Sequence, residues 1–137
     1  MRLCNETITV FNARFDAEKD YDTYVPTVIT GVSWFCEIAS SVEKSGLIAA
    51  NKFTIRIPAD ANFSGKHFVD PLTYPTSDTK TTFTLKNGDI VVKGDASSAV
   101  NPCPASLQKA YAEMFTILGA TDNRRTRNAP HWKVVGA

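Results

Sequence analysis

The sequence holds little of what most site chemistry needs. Of its 137 residues, three are cysteine and two are histidine. Cys4, Cys36 and Cys103 lie far apart, are odd in number and form no CxxC, so neither a disulfide framework nor a zinc knuckle is implied. Reduced thiols in a cytoplasmic setting follow from that usage. His67 and His131 belong to no HExxH or HxH pattern. No glycine-flanked elbow surrounds a serine or cysteine. A Cys–His pair that meets only in space stays open at this level. The single-glycine turns Lys86-Asn87-Gly88 and Lys44-Ser45-Gly46 lack the GxxxxGK[ST] context of a phosphate loop. The sequence therefore predicts a protein that is not an enzyme and holds no cofactor or metal. No apolar run is long enough for a transmembrane helix, and the opening Met1-Arg2-Leu3-Cys4-Asn5-Glu6 is too polar for a secretory signal, so no membrane partner is expected. A formal net charge of +1 excludes wholesale attraction to nucleic acid or anionic lipid.

What is present is β pattern. The length suits one domain, 1–137, able to bury a core without staples. Thr81–Gly94 places Asn87-Gly88 between Thr82–Leu85 and Ile90–Val92, the strongest short-range hairpin signal. Thr7–Phe11 reads as a first strand with Ile8 and Val10 on one face. Asn12–Asp22 carries Asp16, Glu18, Asp20 and Asp22 without the glycine bend or closing glutamate of a calcium loop, and predicts a solvated connection. In Tyr24–Thr30, Pro26 demands an edge position or a strand start, and Gly31 permits a bulge. Val32, Trp34, Cys36 and Ile38 then alternate with Ser33, Phe35, Glu37 and Ala39, which places them on a buried face where Cys36 acts as a small hydrophobe. Ser40–Asn51 reads as a loop with its tip at Lys44-Ser45-Gly46, and Leu47–Ala50 as one helical turn or a packed loop. Phe53, Ile55 and Ile57 point inward and Thr54 and Arg56 outward until Pro58 ends the strand.

Pro58–Lys80 has three prolines and no sustained period, and predicts a long irregular insertion at 58–80, anchored by Phe63, Phe68, Val69, Leu72 and Tyr74. Asn101 as N-cap and Pro102 at the first position predict a helix near residues 102–113, with Leu107, Tyr111 and Met114 as its apolar stripe, covering an open barrel end. Phe115–Leu118 and Trp132–Val135 close the chain as strands, with a turn at Asp122-Asn123. The fold class is all-β: a small barrel or sandwich of about seven strands with one short helix.

Charge is uneven. Residues 121–137 hold Arg124, Arg125, Arg127 and Lys133 against Asp122, a net of +3; residues 1–22 hold three cations against five acids, a net of −2. Beyond a merely solvated loop, two uses are open. The arginines and Trp132 could track and stack single-stranded nucleic acid. Alternatively, opposite charges on separate patches could steer copies head to tail into a ring.

The order TITVFNARFD, an acidic loop, TVITGVSWFCEIASS, KFTIRIP and NGDIVVKG, carried by Ile8–Val10, Val32–Trp34, Phe53–Ile57 and Gly88–Val92, resembles the small neck proteins of long-tailed bacteriophages and Gram-positive prophages. The resemblance spans roughly residues 5 to 95; the 58–80 insertion and the long C-terminal part depart from the pattern. It implies a structural head–tail connector or head-closure subunit. Copies would form a homo-oligomeric ring between portal or adaptor and tail proteins, assembling in the host cytoplasm and residing at the virion's head–tail junction. Contact with packaged DNA stays open, as do the alternatives of a tail-completion or tail-terminator ring. By position, the resemblance makes Ser41–Ala50 the loop that would project into the channel, with Pro58–Lys80 as a second candidate for contacting a neighbour; which of the two faces the channel stays open. The contacts expected on this reading are Glu43, Lys44, Ser45 and Gly46 in that loop, and Arg124, Arg125, Arg127 and His131 in the basic cluster.

Overall fold

Alternation from Thr7 and again from Val32 and Lys52 dictates strands, and a computed structural model of the chain has eight, long and short, among its described residues. They are β1 (Glu6–Asp16), β2 (Tyr21–Glu43), β3 (Gly46–Pro58), β4 (His67–Phe68), β5 (Thr82–Phe83), β6 (Ile90–Lys93), β7 (Met114–Asn123) and β8 (His131–Gly136), with a 3-10 turn at Tyr74–Thr76 and one helix, α1 (Pro104–Ala110). The structure describes residues 5–16, 18, 21–43, 46–76, 80–99, 102–125, 127 and 129–137, the backbone alone at 16, 21, 37–43 and 46–51. Six strands close an antiparallel barrel in the order β1-β2-β3-β8-β7-β6. The fold is all-β.

The 23-residue β2 belongs to two ladders. Its first half pairs with β1, from Asp16↔Tyr21 to Glu6↔Val32; its second half pairs with β3, from Ser33↔Arg56 to Glu43↔Gly46. The changeover sits at Gly31, φ +91°, where the register with β1 shifts. A glycine there supplies the left-handed backbone that a strand needs to bulge and turn a barrel corner. Pro26 lies in the half that has a strand on one side only, as a residue without an N–H requires. The open side is tied down by Lys66, whose Nζ donates to Pro26 O and Thr27 Oγ1 at 2.9 Å each.

The interior splits into two aromatic groups. Toward the β2–β3 turn, Trp34, Phe53 and Phe115 meet with ring centroids 5.1–5.6 Å apart. At the other end, Trp132 and Phe83 are overlaid by Phe63 and Phe68, at 5.3 Å for Phe63–Phe83 and 5.2 Å for Phe68–Trp132. Ile8, Val10, Ile29, Ile55, Ile57, Val91 and Val134 fill the space between. Gly136 sets the packing limit: a Cβ there would run into the Phe115 ring and the Thr116 carbonyl.

Several expectations are corrected. Thr82–Leu85 and Ile90–Val92 do not pair with each other. The Asn87-Gly88 turn exists, with Gly88 at φ +93°, but β5 pairs in parallel with β4 while β6 joins β1 and β7. Hydrophobic Phe83 and Leu85 gain more by entering the barrel than by lying beside β6. Asn12–Asp22 is no loop but mostly the ends of β1 and β2. Ser40–Asn51 is not a loop either, since β2 and β3 stay paired there. Asp122 and Asn123 still belong to β7, and the chain reverses after them. Cys36 is exposed, because it lies where β2 and β3 leave the barrel; Ile38's side chain lies outside the described residues.

The helix is shorter and starts later than 102–113, with Cys103 as N-cap and Pro104 at the first position; Asn101 lies outside the described residues. Its Leu107, with Tyr111 and Met114, packs on Phe11, Ile90 and Val92. Those side chains alternate with the inward Val10 and Val91, so α1 covers the outside of the β1–β6 wall and not a barrel end. The end is sealed instead by the insertion. Tyr74, Phe63 and Phe68 anchor it, whereas Leu72 is 92% exposed.

Candidate assembly surfaces

Strand β8 ends on β3 at Phe53↔Gly136, but β2 and β3 continue as a pair through seven further positions, Glu37↔Lys52 to Glu43↔Gly46. At a strand rise of ~3.3 Å, a two-stranded arm of roughly 20 Å leaves the barrel. Beyond Phe53, no described strand pairs with either outer edge of the arm. Glu43 and Gly46 form its last pair; Lys44 and Ser45 lie outside the described residues.

The basic cluster sits at the other end of β3, because Pro58↔His131 and Asn123↔His131 place the β7–β8 connection there. Its four expected residues have different surroundings. Arg124 Nε donates to Asp122 Oδ1 at 2.9 Å and Nη2 to Oδ2 at 2.7 Å, while its guanidinium lies 4.7 Å from the Trp132 ring centroid and 5.3 Å from that of Phe68. Hydrogen bonds from Arg124 hold the Asp122 carboxyl below its ordinary value, and the same bonds push Arg124 up. Arg124 thus roofs the sealed barrel end. Trp132, 5% exposed beneath it, is no platform for a base. His131 accepts from Asn123 Nδ2 at 3.4 Å through Nε2 and donates through Nδ1 to Ala129 O at 2.8 Å, the tautomer that satisfies both contacts. Arg125 and Arg127 are exposed.

Register adds one cation that sequence spacing did not join to this cluster. Arg56 is the direct cross-strand partner of Lys133, already a member, on the outer face of β3 and β8. Neither has an acidic partner among the described residues. Just below them Pro58, Ala59, Asp60, Ala129 and Pro130 line a groove of about 320 Å³. The outward position of Arg56 in KFTIRI was legible; its neighbour across the ladder was not.

A buried polar joint also escaped the sequence reading. Asn12 and Asp89 are both fully buried. Asn12 Nδ2 donates to Asp89 Oδ2 at 2.7 Å and to Thr84 O at 2.6 Å, and Ala13 N donates to Asp89 Oδ1 at 3.0 Å. Lys86 Nζ donates to Ala13 O at 2.7 Å. The joint ties the approach to β6 onto β1 where the two strands part. Burial outweighs the hydrogen bonds from Ala13 and Asn12 and raises the Asp89 carboxyl from 3.8 to about 6. Beside it Tyr74, 1% exposed, has a hydroxyl without a hydrogen-bond partner among the described residues, and burial pushes it up to about 12.

A folded-state value above the unfolded one means that the native state holds an extra proton between the two. Asp89 therefore stabilises the fold most below its unfolded value of 3.8, and that contribution is lost as pH rises through about 6. The difference amounts to about 3 kcal/mol at 1.36 kcal/mol per pK unit. Denaturant titrations at acidic and neutral pH should show the stability of the wild type, relative to Asp89→Asn, falling by about that amount as pH rises. A pH-independent difference would refute the assignment.

No helix of the described residues is long and apolar enough to cross a membrane, and among them no group of three His, Cys, Asp or Glu side chains could hold a metal ion. No curated protein and no solved structure matches the chain. A family model does match, over residues 3–137, nearly the full length. The chain belongs to that family, DUF6751, a family of unknown function.

Proposed function

We propose that this chain is a non-enzymatic structural subunit of a tailed phage or prophage, a ring-forming neck component that joins the portal end of the head to the tail. The observation that carries the reading is the β2–β3 arm: a small closed barrel with a two-stranded ribbon projecting past its neighbours. A rigid body bearing an extended element with unpaired edges suits gripping adjacent subunits, since free N–H and C=O groups invite strand addition. The arm occupies the position that the neck resemblance gives to the channel loop. The distribution of charge supports a ring. In the cyclic strand order, the acidic β1–β2 hairpin and the basic β7–β8 hairpin stand on opposite walls, separated by β3 on one side and β6 on the other. Such a heterologous pairing generates a ring when its rotation closes. The nucleic-acid reading loses its motive, because Trp132 and Arg124 are engaged with the core and with Asp122.

The test is genetic. Inactivating the gene in a lysogen and inducing it should yield heads and tails that are separate by electron microscopy, with infectivity restored by a plasmid copy. Normal tailed particles would overturn the reading.

A further inference from the structure

Two features on opposite flanks of the barrel complement each other. The first is a receiving wall. Like charges placed directly opposite on a ladder destabilise it, yet Arg56 faces Lys133 with no acid beside them among the described residues. The apolar floor made by Pro58, Ala59, Ala129 and Pro130 extends the wall, with Asp60 as the acid among the residues lining the groove. Higher on the same sheet surface, Phe35 and Leu118 are 56% and 62% exposed.

The second feature is a knob. Leu72 is 92% exposed but is held in place: its N–H donates to Asp70 Oδ1 at 2.9 Å, and the N–H groups of Thr73 and Tyr74 donate to Asp70 O at 2.9 and 3.0 Å. The buried Tyr74 anchors this turn on the flank that carries Arg14, the 60% exposed Phe15 and the exposed Asp22. Asp22 and Asp70 supply the acids of the flank, which also carries Arg14 and Lys86, donating to the carbonyls of Pro75 and Ala13. An apolar residue held outward by a hydrogen-bonded turn loses little conformational freedom on docking.

In the cyclic order β1-β2-β3-β8-β7-β6, β1 and β8 are three strands apart, so knob and wall lie on opposite sides. We infer that the occupant of the Arg56–Lys133 wall is the Leu72 flank of a second copy of this chain. The acids at Asp22 and Asp70 neutralise the cation pair, and Leu72 enters the groove between Pro58 and Pro130. This deepens the ring proposed above and rests on it for biological meaning. The contact itself is testable on the purified chain.

The experiment uses three samples in sedimentation velocity, with circular dichroism to show that each is folded. The wild type should self-associate at submillimolar concentration, and raising salt from about 0.02 M to about 0.5 M, which shortens the screening length several-fold, should dissociate it. Asp22→Lys/Asp70→Lys makes both flanks basic, and Arg56→Glu/Lys133→Glu makes both acidic. Each should be monomeric alone, and an equimolar mixture should associate again. Leu72→Asp, a substitution at an exposed position, should weaken wild-type association in the same assay. A wild type that stays monomeric at low salt, either charge variant associating as the wild type does, or a mixture that stays monomeric would each overturn the contact. Failure here leaves the neck reading to the induction experiment, which does not depend on self-association in solution. Conversely, normal particles without the gene would overturn the neck and leave the contact standing.

Discussion

Excising residues 38–51 and joining Glu37 to Lys52 through an Asn-Gly turn should leave a folded barrel and abolish infectious particles. The fold should survive because the barrel core is assembled among the described residues from side chains outside the arm, the nearest being Trp34 and Phe53 of the barrel-end aromatic group. Glu37↔Lys52 is already an antiparallel pair, and a two-residue type I′ turn matches the twist of such strands. The thermal midpoint should therefore move by only a few degrees, within what about 1 kcal/mol shifts in a domain of this size. Assembly should fail because excision removes the elongated edges that a neighbour could pair with. The measurement is complementation of the inactivated gene in an induced lysogen, beside thermal unfolding of the purified variant. Wild-type titres from a well-folded variant would show that the arm is dispensable and would sink the arm as the gripping element.

Trp132→Ala should be the most destabilising single core substitution at the sealed end, at about 3–5 kcal/mol, the range for truncating a large buried aromatic. Trp132 touches Phe63, Phe68 and Phe83 and lies beneath Arg124, so its loss opens a cavity that draws on three separate segments. Phe63 and Phe68 of the insertion pack on Trp132, so that part of the insertion should loosen together with the lost stability, while the Thr30–Asn62 bridge and the Lys66 bonds to β2 still tether it. Against a typical total of 5–15 kcal/mol, the variant would be marginal at growth temperature. Trp132→Phe is the informative control. Its lost indole N–H has no hydrogen-bond partner among the described residues, so the cost should be that of reduced volume alone. Urea denaturation of the three proteins reads both effects. An alanine variant within about 1 kcal/mol of the wild type would mean that the barrel end is not sealed as described.

Period-two patterns that were long and one-sided were legible. Ile8 with Val10, and Phe53, Ile55 and Ile57, sit on the predicted inner face because alternation is a property of the strand itself. Pro26 and Gly31 were readable for the same kind of reason: a missing N–H and a tolerated positive φ constrain the chain wherever it lies. The stripe Leu107, Tyr111, Met114 was also right in what it buries, although Met114 opens β7 and is not helical.

What failed depended on partners distant in sequence. Asn87-Gly88 announces a turn, but whether the flanking runs pair with each other is settled by competition. β6 finds β1 and β7, and Phe83 with Leu85 finds the barrel interior. The small residues of Ser40–Asn51 look like a loop because strand propensity is weak there; continuous pairing with the opposite strand overrides it. Charge followed the same division. The sequence alone determined that this chain alternates into strands, turns at its glycines and carries acids early and cations late. Only the tertiary structure decided that Arg124 closes the core, that Arg56 meets Lys133 and that Asn12 meets Asp89, because each depends on the register and closure of a barrel whose contacts are mostly long-range.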